Sequence, residues 1–182
     1  MGHQVALTIC AEIKGGHGEA LAQLLTAMSD DSAHNRVIPF GDLPAIHFAR
    51  LLVVDAGEES PILLLMLDGD APQRRRLQEL VKIAGTGLDE VFRHCEGYPA
   101  DGELTPRKRV AYLRSRMTSV EVFYVHAVGR VLEQIRQEEH LREAIQAFLD
   151  RLPQSAEIQS ASQICRTIRA FVDGEPALAC PC

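Results

Sequence analysis

The sequence predicts an α+β fold: a four-stranded antiparallel sheet with helices on one face, followed by C-terminal helices. Two observations predict it. Short stretches of alternating or continuous apolar residues, typical of strands, stand between longer stretches with apolar residues at helical spacing, in the order β-α-β-β-α-β. The chain of 182 residues is 46% hydrophobic, which is enough to build one core.

The first strand and the first helix are predicted by consecutive patterns near the N-terminus. Residues 5–14 alternate, with apolar side chains at every second position, which indicates a strand with one buried face. Residues 15–18 read Gly-Gly-His-Gly and end the strand with a turn. A helix follows, with its apolar face formed by Leu21, Leu24, Leu25 and Met28.

The next two strands are predicted to form an antiparallel hairpin. Residues 46–55 and 61–67 are mostly apolar, and the connection between them is too short for a crossover. Residues 51–54 are apolar on both faces of their strand. Since such a strand is normally covered on both sides, the pattern predicts that it is central in the sheet.

A second long helix is predicted over residues 72–95. Asp70 is predicted to be its N-cap, and Pro72 lies in its first turn. Residues 85–87, Gly-Thr-Gly, should weaken or kink it. The arginines at 74–76 oppose the dipole at its N-terminus, and we expect neighbouring aspartates, rather than an anionic partner, to compensate.

The C-terminal half is predicted to contain an inserted helix, a fourth strand and further helices. The inserted helix covers about residues 105–117, and residues 119–126 (SVEVFYVH) alternate as a strand does. A long amphipathic helix follows over 131–152. The order of elements matches a ferredoxin-like domain over 1–152, and 153–182 would be a last helix and a flexible tail.

Composition argues against several classes of protein. The net charge of −6 disfavours non-specific nucleic-acid binding, and the longest apolar run, residues 62–67, is far too short to span a bilayer. The five cysteines include no C-x-x-C pair, which disfavours a disulfide framework and a zinc site. No secretory signal is visible, so we expect a cytoplasmic protein.

Two basic triplets interrupt this acidic composition, at residues 74–76 and 107–109. Each lies near the start of a predicted helix. We interpret each as a solvated helix turn, and the alternative interpretation is a binding patch.

Several motifs, taken in order, resemble a group of uncharacterised bacterial proteins and, more broadly, the dimeric α+β barrel superfamily. They are HFAR (47–50) with Asp55, LLLMLDGD (63–70), VFRHCEGYP (91–99) and VGRVLEQIRQEEHLREAIQAFLD (128–150). Members pack two ferredoxin-like sheets face to face. Some bind haem and act as peroxidases, while others are small monooxygenases, isomerases or stress-response dimers without haem. The resemblance implies a homodimeric barrel with a cavity that could hold haem.

His47 and Arg50, at the start of the second strand, are the predicted catalytic residues. Because they are three apart on a strand, their side chains should point to opposite faces unless a bulge intervenes. His47 would be a haem ligand or general base if its face lines a cavity, or else a hydrogen-bonded histidine at the strand's edge. Arg50 would bind an anion, or pair with a carboxylate such as that of Asp68.

His94, His126 and Arg130 are the predicted cofactor-binding residues. His94, at the end of the second helix, would be an axial haem ligand or would bond the last carbonyls of its helix. His126 and Arg130 would form a polar cluster at one end of the barrel. Ligand spacings such as H-E-x-x-H do not occur, so no metal site is predicted.

Two functions remain open on the sequence alone. One is a small-molecule-binding α+β barrel protein, in its sharpest form a haem-linked oxidoreductase of the peroxidase type that works as a homodimer. The alternative is a non-catalytic dimerisation or accessory interaction module, whose C-terminal helices engage another protein. Whether the chain is an enzyme is also left open.

Overall fold

A computed structural model of the chain describes residues 4–55, 61–126, 128–151 and 160–174. The chain divides into two compact units, Met1–Leu132 and Glu133–Cys182. The predicted domain boundary at residue 152 lies outside the described residues, as do the connection between the second and third predicted strands at 56–60 and the tail beyond 174. The division into 1–152 and 153–182 therefore stays a prediction.

The first unit is built on a four-stranded antiparallel sheet, as predicted. Its strands, in chain order, are β1 (Gln4–Glu12), β2 (Ile46–Val54), β3 (Ile62–Asp70) and β4 (Met117–Thr118). In the sheet they lie in the order β2-β3-β1-β4, and each pairs antiparallel with its neighbour. This is the ferredoxin-like order, and the predicted hairpin of β2 and β3 is confirmed.

The helices also follow the predicted order. They are α1 (Gly18–Ser29), α2 (Gln73–Phe92), α3 (Pro106–Ser115), α4 (Leu132–Asp150) and α5 (Ala161–Gly174). The third of these is the predicted inserted helix, and its N-cap is the hydroxyl of Thr105, which accepts from the Lys108 N–H. Within the described residues, none of the helices is both long and apolar enough to cross a lipid bilayer.

The core lies between one face of the sheet and the helices of the first unit. The alternation in β1 and β3 places Leu7 and Ile9, and Leu63, Leu65 and Leu67, on this face with at most 1% of each exposed. They pack in one cluster with α1 and α2, through residues that include Leu21, Leu77, Leu80 and Leu88. Each fully buried leucine contributes about 2 kcal/mol through the hydrophobic effect.

The prediction that β2 is a central strand is wrong, because β2 forms an edge of the sheet. Ala49, Leu51 and Val53 pack on the core, but the opposite face is open: Phe48 is 66% exposed, and Leu52 is 37% exposed. A doubly apolar sequence predicts cover on both faces, and the described residues of the first unit cover only one of them.

The predicted fourth strand at 119–126 is also wrong. Only Met117 and Thr118 pair with β1, and Val122, beyond them, is 86% exposed. Where β4 would continue, the edge of β1 contacts a helix residue instead: the side-chain amide of Gln73 donates to the Ala6 carbonyl at 3.2 Å.

The predicted kink in α2 is confirmed, since Ala84, beside the Gly-Thr-Gly sequence, has non-helical backbone angles. Gly87 has a separate packing role. A side-chain carbon at this position would collide with the backbone carbonyl of Val37, so only glycine allows the loop to lie directly against the helix. Asn35 shapes that loop, because its side-chain oxygen accepts from the N–H groups of Val37 and Ile38.

Candidate ligand-binding groove

His47 lies in a β-bulge and pairs with Asp70. The strand register shifts between Ile46 and Phe48, which leaves His47 as the extra residue. Its Nε2 is 2.7 Å from Asp70 Oδ1, and the two side chains are only 8% and 12% exposed. The geometry is that of a hydrogen-bonded histidine at the strand's edge.

Asp70 does not cap α2, so that prediction is wrong. The N-cap of α2 is Pro72, without a side-chain hydrogen bond. The second carboxylate oxygen of Asp70 instead accepts from the backbone N–H of Leu132 at 3.1 Å. Both of its oxygens are therefore occupied by partners other than the N-terminal turn of α2.

Arg50 lies apart from this pair. It is exposed and lines a cavity of about 420 Å³ formed mainly by apolar side chains of α1, β2 and the loop between them. The expected carboxylate partner is not found among the described residues. The prediction that His47 and Arg50 point to opposite faces assumed a regular two-residue alternation. The bulge at His47 interrupts that alternation. The structure brings His47 to Asp70 rather than to Arg50.

His94 follows the end of α2 and contacts a second histidine. Its Nδ1 lies 3.1 Å from Nδ1 of His17, and the two rings meet edge to face. Burial lowers the pKa of the His94 imidazole, and the nearby His17, Arg93 and Lys14 lower it further. The sequence did not predict this pairing, which depends on the turn after β1 meeting the end of α2.

His126 and Arg130 lie in exposed, irregular chain instead of at the end of a strand. The His126 Nδ1 is 3.0 Å from the Tyr124 hydroxyl, and the Arg130 carbonyl accepts from the side-chain amide of Gln4. His94 and His126 thus have different neighbours. The roles predicted for these residues in cofactor binding stay predictions.

The groove with the most distinctive chemistry lies between α2 and α3, beside the two basic triplets for which a binding patch was the alternative interpretation. Its volume is about 710 Å³, within the range of roughly 300–1,000 Å³ that is usual for small-molecule sites. The lining residues are Arg74, Gln78, Val81, Lys82, Ile83, Gly85, Thr86, Pro106, Arg107, Arg109, Val110, Ala111 and Arg114.

Helical spacing explains how the two walls form. On α2, the lining residues Arg74, Gln78, Val81 and Lys82 stand at positions i, i+4, i+7 and i+8. On α3, Arg107, Val110, Ala111 and Arg114 stand at i, i+3, i+4 and i+7. Since residues at these positions share one face of a helix, each set forms one stripe in which uncharged residues lie between two cations.

The lining is cationic and contains no carboxylate. One of its cations, Arg109, is paired with Asp89. The other four, Arg74, Lys82, Arg107 and Arg114, have no carboxylate partner in the part of the chain that the structure describes. Unpaired cations beside apolar surface favour an anionic ligand.

The basic triplets split according to helical phase. Arg75 and Arg76 both pair with Glu79, and Lys108 pairs with Glu103. Arg74 and Arg107 instead enter the groove. Both are exposed, as the interpretation of a solvated turn predicts, whereas the side chain of Arg76 is buried, with only 6% exposed. Spacing within the helices was the signal that could have identified Arg74 and Arg107 as lining residues.

A buried hydrogen-bond network holds Arg109 in place. Asp89 Oδ1 accepts from Arg109 Nε at 2.8 Å and from the Tyr98 hydroxyl at 2.5 Å, while Asp89 Oδ2 accepts from Arg109 Nη2 at 2.5 Å. Burial alone would raise the pKa of the Asp89 carboxyl, but the hydrogen bonds from Arg109 and Tyr98 and the charge of Arg109 outweigh it and lower the pKa. Gly85 lies beside this guanidinium: a Cβ added there would be 3.5 Å from Arg109 Nη1, an ordinary van der Waals contact.

Comparison with family models, with curated proteins and with solved structures gives no significant match to this chain. Within the described residues, His, Cys, Asp and Glu side chains form no group of three that could hold a metal ion. The groove is therefore interpreted from its own chemistry.

We predict that Asp89→Asn destabilises the protein by about 3 kcal/mol at pH 7, because it leaves the Arg109 charge without its buried partner. The loss should shrink in acid. A carboxyl whose pKa is lowered by folding stabilises the fold above its unfolded pKa of about 3.9, and this contribution disappears as the pH falls through the folded pKa. Urea unfolding of both proteins between pH 7 and pH 2.5 measures the difference.

The matched control is Glu103→Gln, which removes an exposed carboxylate from Lys108 and should leave stability unchanged. A stability difference between wild type and Asp89→Asn that stays constant down to the lowest pH would contradict the prediction.

Proposed function

We propose that the protein binds an anionic small molecule with an apolar part in the groove between α2 and α3. One observation carries the proposal: the four cations without carboxylate partners, Arg74, Lys82, Arg107 and Arg114, line the same groove as apolar residues of both helices. Guanidinium groups recognise carboxylate and phosphate with paired hydrogen bonds, and the apolar residues between them can bury hydrocarbon.

The charge distribution favours a small ligand over a polyanion. The chain as a whole has a net charge of −6. An extended nucleic acid that left the groove would meet this negative field, whereas a small anion stays among the cations.

The groove supports binding more than catalysis. Among the described lining residues only Lys82 and Thr86 are of types that act as nucleophile or general base, and that lining holds no carboxylate, histidine, cysteine or tyrosine to activate them. Gln78 and Thr86 add neutral polar groups that can orient a ligand.

Haem, which the superfamily resemblance implies, does not fit the described lining of this groove. Haem iron takes its axial ligand from histidine, cysteine, methionine or tyrosine, and that lining holds none of them. His47 Nε2 is occupied by Asp70. A haem-linked oxidoreductase therefore stays a prediction from the resemblance.

A second candidate function, homodimerisation, is favoured by the open face of β2. On this face Phe48 is 66% exposed, and Leu52 and Val54 are each 37% exposed. A row of apolar side chains on an edge strand is suited to a self-complementary interface. A dimer formed in this way would correspond to the barrel that the resemblance implies.

We also propose that the protein acts in the cytoplasm. Cys10, Cys95 and Cys165, the described cysteines, are free thiols. Unpaired cysteines are usual where the compartment is reducing.

For the groove, we predict that anilinonaphthalene sulfonate, an anionic and largely apolar dye, binds the full chain with an affinity that falls as salt is added. Substituting both Arg107→Gln and Arg114→Gln should weaken binding about tenfold or more, since each charge-assisted contact is worth about 1.5–3 kcal/mol. Fluorescence titration measures this affinity.

Arg75→Gln is the matched control, because it removes a neighbouring arginine that pairs with Glu79 outside the groove. Phenylnaphthylamine, a neutral dye without the sulfonate, tests whether the charge of the sulfonate contributes to binding. If it binds as tightly as the sulfonate, or if the double variant binds the sulfonate as well as wild type does, the proposed function is wrong.

For the dimer, we predict that light scattering gives twice the monomer mass for wild type and the monomer mass for Phe48→Asp. Val122→Asp, at an 86% exposed position away from the paired strands, is the control and should leave the dimer intact. A monomeric wild type would rule out this second function.

A further inference from the structure

The cations of the groove are gathered at its two ends. Arg74 and Arg114 lie together at one end, where both also line a smaller adjoining cavity with Gln73, Leu77 and Met117. At the other end, Arg109 of α3 lies beside Gly85 of α2. Because residue 114 is near 74 and residue 109 is near 85, the two helices run antiparallel.

This direction separates the remaining two cations, Lys82 and Arg107, from the end that Arg74 and Arg114 share. Lys82 lies on the Gly85 side of the α2 stripe, and Arg107 is at the start of α3, beyond Arg109. Arg109 is held by Asp89, so it fixes this end, while Lys82 and Arg107 have no carboxylate partner in the described chain.

The spacing between the two ends follows from α3. Arg107 and Arg114 are seven residues apart on one helix face, which corresponds to about 10 Å along the axis at a rise of about 1.5 Å per residue. Val110 and Ala111 lie between them and have apolar side chains. The sequence Arg-x-x-Val-Ala-x-x-Arg thus presents two positive charges separated by an apolar surface.

We propose that the ligand of the groove is a linear dianion, with a carboxylate or phosphate group at each end of an apolar chain about 10 Å long. This inference rests on the proposed function and narrows it. A ligand with one anionic end would leave the other pair of cations unpaired, and a short dianion could reach only one end.

Calorimetric titration of the full chain with α,ω-dicarboxylates tests the proposal. Affinity should rise from succinate through adipate and suberate, and sebacate, whose two carboxyl carbons lie about 11 Å apart in the extended chain, should bind best. Decanoate has the same number of carbons but one carboxylate, and we expect it to bind at least about tenfold more weakly than sebacate. The bisphosphonate of the same length distinguishes phosphate from carboxylate ends, and tighter binding by either supports the proposal.

Two double variants remove one end each: Arg74→Gln with Arg114→Gln, and Lys82→Gln with Arg107→Gln. Either one should reduce the affinity for sebacate to that for decanoate, while Arg75→Gln should not. The dicarboxylate series is measured on the wild-type protein, so it tests the two-ended ligand even if a variant folds poorly.

The outcomes separate this inference from the proposed function. Equal binding of sebacate and decanoate, or binding of succinate as tight as that of sebacate, overturns the two-ended ligand and leaves an anion-binding groove. If sebacate, decanoate and the naphthalene sulfonate all fail to bind, both proposals are wrong.

Discussion

The buried ion pair between Asp89 and Arg109 is the interaction on which the geometry of the groove depends. It joins α2 to α3 through two hydrogen bonds, and Tyr98 supplies a third to the same carboxylate. Tyr98 also packs against Tyr112 of α3, with ring centroids 4.8 Å apart. Removing one partner of such a pair leaves a buried charge without its counter-charge. Substitution of Asp89 or Arg109 alone should therefore destabilise the protein.

The pair also determines the charge of the groove. Asp89 neutralises the charge of Arg109, so this arginine helps to hold α3 against α2 and is not available to a ligand. The cations that are available are Arg74, Lys82, Arg107 and Arg114. Arg74 and Arg107 each stand in the first turn of a helix, where the backbone dipole disfavours a cation. A bound anion would relieve this repulsion. These two arginines therefore destabilise the protein when no anion is bound, and a bound anion would remove this destabilisation.

Local patterns were sufficient to predict most elements of this fold, but not the fourth strand. Alternation in β1 and helical spacing in α2 predict their structures because each pattern is set by the chain's own period. Where a prediction failed, a distant residue decided the result. Gln73 occupies the edge of β1 where residues 119–126 would have paired, and the open face of β2 depends on what the rest of the chain covers. No local pattern contains that information.

The site was harder to predict than the fold for the same reason. His47 and Arg50 drew attention because they interrupt an apolar strand, but the bulge and the partner Asp70 explain the histidine structurally. The residues of the groove looked ordinary in sequence, since arginines in helices are usually solvated. They become a site only when α2 and α3 pack antiparallel and bring residues about thirty positions apart to one surface.

Mapping of a bound dicarboxylate by NMR would test the central claim most directly, that the groove between α2 and α3 is the binding site. On titration of the labelled full chain with sebacate, the account predicts that the largest amide shift changes fall within residues 74–86 and 106–114, together with the Nε–H signals of the groove arginines. Residues of β2 around His47 should not respond. Shift changes concentrated at β2, or no change along α2 and α3, would contradict the account.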